Sequence, residues 1–85
     1  MIYTVAAYYD VETEKYNPPM LFPFPVDNVI ETIKEATIKG KIEGAEAFEL
    51  YQLGNYDTAD ASFELLAKPV KLLKLKDFVK VKEVA

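Results

Sequence analysis

The chain has 85 residues and a net charge of −4, and 51% of its residues are apolar. This length predicts one domain spanning residues 1–85 with a single modest core, and the composition excludes a disordered polypeptide. Because the sequence has no histidine and no cysteine, it excludes Ser–His and Cys–His nucleophiles and thiolate metal sites, and we expect a non-enzymatic protein with no catalytic residue, no metal, no cofactor and no small-molecule substrate.

The first element in the chain is a predicted strand over residues 2–9, which are rich in β-branched and aromatic side chains. Both of its faces are largely apolar, which predicts a central strand. Residues 11–15 are polar enough for a hairpin connection. The arm at 16–25 contains four prolines, which cannot donate to a ladder, so we expect an extended edge or a polyproline-like segment there.

A helix is predicted over residues 26–39. Val29, Ile30, Ile33 and Thr37 recur at helical spacing, with Glu31, Lys34 and Glu35 turned outward. Asp27 or Asn28 is the predicted N-cap, and Gly40 is predicted to end the helix. A loop at 40–46 should then lead back to the sheet.

The second half of the chain predicts a hairpin. A strand at 47–53, with Tyr51 and Leu53 on one face, should end in a tight reversal at Gly54 and Asn55, because these residues adopt positive φ readily. Its partner is predicted at 61–67, with Phe63 and Leu65 on one face. The pattern over 70–84 fits either a helix or a strand; we favour a helix-like turn near 70–76 followed by an extended piece.

These elements predict an α+β fold, in which a small, mostly antiparallel sheet of about four strands packs against one main helix. The alternative is a five-stranded barrel of the oligonucleotide-binding type, which the size and strand count also permit.

Charge is segregated along the chain. Residues 1–65 carry four lysines and twelve acidic residues, whereas residues 66–85 carry six lysines and two acidic residues. The basic segment at 68–82 predicts a local field that attracts phosphate, although the whole chain is an anion. The alternative is that these lysines only solvate one face of an amphipathic terminal element.

Single-stranded nucleic acid is held by cations along its backbone and by aromatic rings on which its bases stack. The candidate residues are Lys71, Lys74, Lys76, Lys80 and Lys82 for phosphates, and Tyr9, Tyr16, Tyr51, Tyr56 and Phe78 for bases. The competing interpretation is that each tyrosine packs its ring into the core and leaves its hydroxyl at the rim. The sequence has no arginine, which argues against base-specific reading of duplex DNA.

Three short motifs carry a resemblance to a known family. They are Tyr8-Tyr9-Asp10, then Glu14-Lys15-Tyr16-x-Pro18-Pro19, and finally Phe48-x-Leu50-Tyr51-x-Leu53-Gly54-x-Tyr56-Asp57 with Phe63 downstream. Over about residues 1–65 the chain resembles the small non-structural protein of gokushovirus-type microviruses, which are bacteriophages with circular single-stranded DNA. The resemblance implies a non-catalytic accessory protein that binds single-stranded DNA during viral DNA synthesis or packaging. It departs from the family at residues 59–61, where a Thr-Gly step is usual.

A second hypothesis is a protein–protein interaction or assembly module. It would form a homo-oligomer or dock on a viral or host protein through the arm at 16–25 or an unpaired sheet edge.

Under either hypothesis we expect no membrane partner, because there is no apolar run of about eighteen residues and no secretory signal pattern at residues 1–10. The expected location is cytoplasmic, in the host cell if the chain is viral.

Overall fold

The computed structural model describes residues 1–79, which form a five-stranded antiparallel sheet and one α-helix. The elements are β1 (Ile2–Asp10), β2 (Lys15–Tyr16), β3 (Met20–Phe22), α1 (Val26–Ile38), β4 (Phe48–Asp57) and β5 (Ser62–Lys74), with short 3₁₀ turns at Ala45–Ala47 and Leu75–Phe78. The predicted α+β class is confirmed. The sheet curls into a half-barrel, and over the described residues its two edges do not meet.

Strand β1 lies at the centre of the sheet, as its two apolar faces predict. It pairs with β4 on one side and with β2 and β3 on the other. The proline-rich arm forms an edge, because its only ladder residues within 1–79 belong to β2 and β3. The Thr4 hydroxyl, which is buried, donates a hydrogen bond of 2.8 Å to the Phe24 carbonyl and so ties the end of the arm to β1.

Helix α1 closely follows its predicted bounds, and it buries Val29, Ile33 and Thr37 as one stripe. The predicted cap was wrong. Neither Asp27 nor Asn28 caps the helix, because Pro25 occupies the N-cap position with extended backbone and its carbonyl accepts hydrogen bonds from the N–H groups of Asn28 and Val29. The helix therefore begins at Val26, two residues earlier than an Asp27 cap would place it and three earlier than an Asn28 cap would. Gly40 follows its end with a φ of +70°, as predicted.

The core lies between α1 and one face of the sheet. Its buried members are Ala6, Val29, Ile33, Ala45, Leu50, Leu73 and Leu75. Partly buried rings complete it, and the Tyr8 ring stacks on the Phe48 ring with their centroids 5.1 Å apart. These contacts join residues that are far apart in sequence. They hold the helix on the sheet through burial of apolar area, which stabilises the fold by about 25 cal/mol per Å².

The reversal predicted at Gly54 and Asn55 was wrong. Strand β4 continues through both residues to Asp57, and the chain turns at residues 58–61, where Ala61 has a φ of +57°. Gly54 is required for a different reason. It is buried, and a Cβ atom built on it would lie 2.1 Å from the Glu64 carbonyl oxygen of β5. The glycine therefore permits close approach of two strands within the sheet.

The last strand is longer than the sequence predicted. The partner predicted at 61–67 extends to Lys74, and the helix-like turn expected near 70–76 was wrong, since the 3₁₀ turn begins only at Leu75. The reason is the ladder with β4, in which Leu73 lies opposite Leu50 and is buried. The extended piece predicted beyond this turn falls largely outside the described residues.

Candidate nucleic-acid interface

The two faces of the sheet differ in what covers them. Along β1, Ala6 and Tyr8 point towards α1, so alternation places Tyr3, Val5, Ala7 and Tyr9 on the opposite face. We call this opposite side the open face, because α1 packs on the other side; within it, Val5 and Ala7 are buried, with 4% and 0% of their surface exposed. Large side chains are exposed there, with Leu21 at 49%, Phe63 at 58% and Leu65 at 71%.

A strand irregularity keeps this face continuous. Between the pairs Val5–Gly54 and Ala6–Gln52 the register shifts by one residue, so Leu53 is an extra residue in β4. A one-residue insertion of this kind reverses the alternation on its own strand. As a result, Tyr51 and Tyr56 both lie on the open face, although they are five positions apart in β4, a spacing that would put them on opposite faces of a regular strand. The simple alternation that placed Tyr51 and Leu53 on one face therefore breaks at this bulge.

Three tyrosines gather at one end of the open face, and we call them the tyrosine cluster: Tyr9, Tyr16 and Tyr51. The centroid distances are 4.9 Å between Tyr9 and Tyr16, 5.9 Å between Tyr9 and Tyr51, and 5.7 Å between Tyr16 and Tyr51. Two of the three ring pairs meet edge to face, an arrangement that aromatic quadrupoles favour. Tyr16 is the most accessible member, with 47% of its surface exposed.

Lysines flank the tyrosine cluster on the side of β5. Lys71 lies opposite Tyr51 in the ladder, and its Nζ is 5.9 Å from the centroid of the Tyr51 ring. Lys74 lies opposite Glu49, in the cross-strand row that also contains Tyr9. Both lysines are exposed. The structure thus places two of the five predicted lysines beside three of the five predicted rings.

Glu49 is the charged residue at this site that the sequence analysis missed. Its Oε1 accepts a hydrogen bond of 3.0 Å from the Tyr51 hydroxyl and lies 3.5 Å from Lys71 Nζ. Burial of the Tyr51 hydroxyl raises its pKa above the ordinary value, and the hydrogen bond to Glu49 and the carboxylate charge raise it further. The signal was available in the sequence, because Glu49 and Tyr51 are two positions apart on one strand.

The remaining predicted residues lie elsewhere. Tyr56 is on the open face but at its other end. Its ring centroid lies 6.4 Å from that of Tyr3 and 4.7 Å from that of Phe63. Tyr3 and Tyr9 are six positions apart on β1, which corresponds to roughly 20 Å.

Phe78 packs against the core on the helix side, with Lys34 Nζ 5.1 Å from its ring centroid, and therefore does not join the tyrosine cluster. Lys76 is exposed in the C-terminal 3₁₀ turn. Lys80 and Lys82 lie outside the described residues.

A cavity of about 450 Å³ opens on the helix side of the sheet. Its lining residues are Ile2, Thr4, Pro25, Val26, Gln52 and Asn55. None of these side chains titrates, so this lining offers no general acid, general base or charged nucleophile. Over residues 1–79, no group of three or more acidic or other metal-ligating side chains is close enough to hold a metal ion.

The fold and the open face together define a small α+β protein with an aromatic, lysine-flanked sheet surface. Comparison of the chain with protein-family models, with curated proteins and with solved structures finds no match. In the part of the chain that the structure describes, no helix combines the length and the apolar character needed to cross a membrane.

Proposed function

We propose that this protein binds single-stranded DNA on the open face of its sheet, without catalysing a reaction. The observation that carries the proposal is the convergence of the tyrosine cluster with Lys71 and Lys74. A sheet surface that presents aromatic rings for bases and cations for phosphates is a recurring way to hold single strands.

The rings supply the larger part of the expected affinity. Stacking of a base on an aromatic side chain contributes about 1–3 kcal/mol, and it is tolerant of sequence because every base has a π-face. Tyr16 is nearly half exposed, so it can accept a base without leaving its neighbours. We therefore propose binding with little sequence preference, which also agrees with the absence of arginine from the chain.

The lysines direct the strand to this end of the molecule. Most of the chain is acidic, with a net charge of −4 overall, and such a surface repels phosphate. The cations on β5 offer an attractive region beside the rings. Glu49 opposes them, because it engages Lys71 at 3.5 Å and places a negative charge next to the tyrosine cluster. A phosphate must therefore compete with Glu49 for Lys71.

The resemblance to the microvirus non-structural protein gives this activity a biological setting. We propose a bacteriophage accessory protein that acts stoichiometrically in the host cytoplasm, coating or handing over viral single-stranded DNA during synthesis or packaging. Three of the residues that carry the resemblance, Tyr9, Tyr16 and Tyr51, make up the tyrosine cluster.

A titration with a fluorescently labelled oligothymidylate at several salt concentrations tests the proposal. Affinity should fall as salt rises, because each neutralised phosphate releases counterions and contributes about 0.7 to the slope of log K against log salt. Lys71→Gln combined with Lys74→Gln should weaken binding and reduce the slope by roughly 1.4. Glu49→Gln should strengthen binding, because it releases Lys71 and removes a neighbouring negative charge.

The matched control is Lys39→Gln combined with Lys41→Gln, which makes the same charge change near the end of α1. These residues are exposed and distant from the open face, so the control should bind like the wild type. Absence of binding at low salt would refute the proposal. Equal losses in the two double variants would show that only net charge matters, which would also contradict it.

A further inference from the structure

The outer edge of β5 is a second surface that the structure leaves unpaired. Within residues 1–79, β5 forms a ladder with β4 alone. Strand β5 is thirteen residues long, and it exposes Phe63 and Leu65 by 58% and 71%. A long edge strand with exposed apolar side chains is a template for pairing with another strand.

The middle of β5 also lacks ladder pairs with β4. The ladder passes from the pair Gly54–Leu65 directly to the pair Gln52–Val70, so residues 66–69 stand against Leu53 alone. Their peptide groups have no ladder partners in β4, and such groups are satisfied either by water or by another chain. The ladder with β4 therefore leaves the backbone groups of this segment uncommitted.

The charged residues of this edge are complementary to those of a second copy of the same edge. Glu64 and Lys68 are four residues apart and exposed, and neither forms an ion pair within the part of the chain described. In an antiparallel pair of β5 strands centred on Leu66, Glu64 of each copy lies opposite Lys68 of the other. Twofold symmetry repeats this ion pair, and Leu65 then lies opposite Ala67 on the other side of the sheet.

We propose that two copies of this chain pair through the β5 edge, centred on Leu66, and form one continuous sheet. Nucleic acid is a poorer occupant of this edge. Among the described residues no lysine lies over the ring of Tyr56 or Phe63, and Glu64 repels phosphate. Pro69 has no N–H to donate, so it stops the pairing from extending along β5 and favours a closed dimer over an open fibre.

Sedimentation equilibrium, from micromolar to millimolar protein and without nucleic acid, tests this dimer. The wild type should show a monomer–dimer equilibrium. Glu64→Lys alone and Lys68→Glu alone each place like charges opposite one another twice, and each should raise the dimer Kd by roughly tenfold. The double variant that combines both changes restores opposite charges and should recover the wild-type Kd.

The control is Glu31→Lys combined with Lys41→Glu, which exchanges two exposed charges away from β5 and should leave the Kd unchanged. Three outcomes would overturn the proposal: a monomer at every concentration, a species larger than a dimer, or a dimer whose Kd is indifferent to the single charge changes. Failure of this test does not affect the proposed DNA binding, because the proposed pairing is centred on Leu66 and includes no residue of the tyrosine cluster.

Discussion

Gly54→Ala is the substitution whose effect the structure defines most sharply. The added Cβ would lie 2.1 Å from the Glu64 carbonyl oxygen and 3.0 Å from two further backbone atoms of β5. A carbon and a carbonyl oxygen normally stay about 3.3 Å apart or more, so β5 must move by roughly 1 Å. The atoms in contact belong to the backbone of a paired strand, and therefore no side-chain rotation can relieve the overlap.

Overpacking costs about 1–3 kcal/mol when neighbouring side chains can adjust, and here we expect about 3 kcal/mol or more. A chain of this size has a free energy of unfolding of roughly 4–13 kcal/mol. The melting temperature should fall by about 12–24 °C, since a small domain loses about 4–8 °C per kcal/mol. Circular dichroism during heating measures this shift.

Gly40→Ala is the matched control. Unlike Gly54, Gly40 has a backbone that favours glycine, with a φ of +70°, and nothing lies within 4 Å of the added Cβ. It should cost only about 1 kcal/mol of backbone strain, equivalent to a fall of about 4–8 °C. If Gly54→Ala melts no lower than Gly40→Ala, the close approach of β4 and β5 at this position is refuted.

Three further predictions concern the core, the arm and the tyrosine cluster. Leu50→Ala, at a fully buried position, should lower the free energy of unfolding by about 2–5 kcal/mol in urea titrations. Thr4→Val removes the hydrogen bond to the Phe24 carbonyl and should cost about 1 kcal/mol by the same measurement; no loss would mean that this bond does not hold the arm. The folded pKa of Tyr51 is raised, first by burial and then by Glu49, so the folded state holds this proton more tightly than the unfolded state does. The stability that this raised pKa contributes is complete below about pH 10 and is lost as pH rises through the folded pKa. Tyr51→Phe should therefore flatten the alkaline decline in the free energy of unfolding, and an unchanged decline would contradict the raised pKa of Tyr51.

The helix and the central strand could be predicted because their signals are local. Val29, Ile33 and Thr37 recur at helical spacing whatever the rest of the chain does. Strand β1 carries apolar residues on both faces, which is typical of a strand with neighbours on both sides. These patterns depend only on the nearest residues, and the structure confirms them.

The errors arose where one residue type serves two purposes. Glycine is typical of tight turns, but it also permits two backbones to approach each other closely. At Gly54 only the position of Glu64 on the neighbouring strand distinguishes these two roles. The lysines and Pro69 of β5 made that segment resemble a helix start or a tail. An exposed edge strand tolerates both residue types, and its extent was decided by pairing with β4, which is distant in sequence.

The candidate site was predictable in part. Tyr9, Tyr16, Tyr51, Lys71 and Lys74 were chosen by residue type, and the structure brings these five together. Their convergence depends on the register of three strand pairs and on the extra residue Leu72 of β5, between the pairs Leu50–Leu73 and Tyr51–Lys71, which alternation alone does not reveal. Glu49 could be placed beside Tyr51 from their spacing, but its contact with Lys71 depends on the pairing of β4 with β5.

The central claim is that single-stranded DNA contacts the open face at the tyrosine cluster. Aromatic ¹H–¹³C NMR spectra, recorded while an oligothymidylate is added at low salt, test this contact most directly. The ring resonances of Tyr9, Tyr16 and Tyr51 should shift together and saturate, whereas those of Phe78, on the helix side, should stay in place. Rings of the tyrosine cluster that do not shift, or shifts confined to Phe78 and its surroundings, would contradict the account.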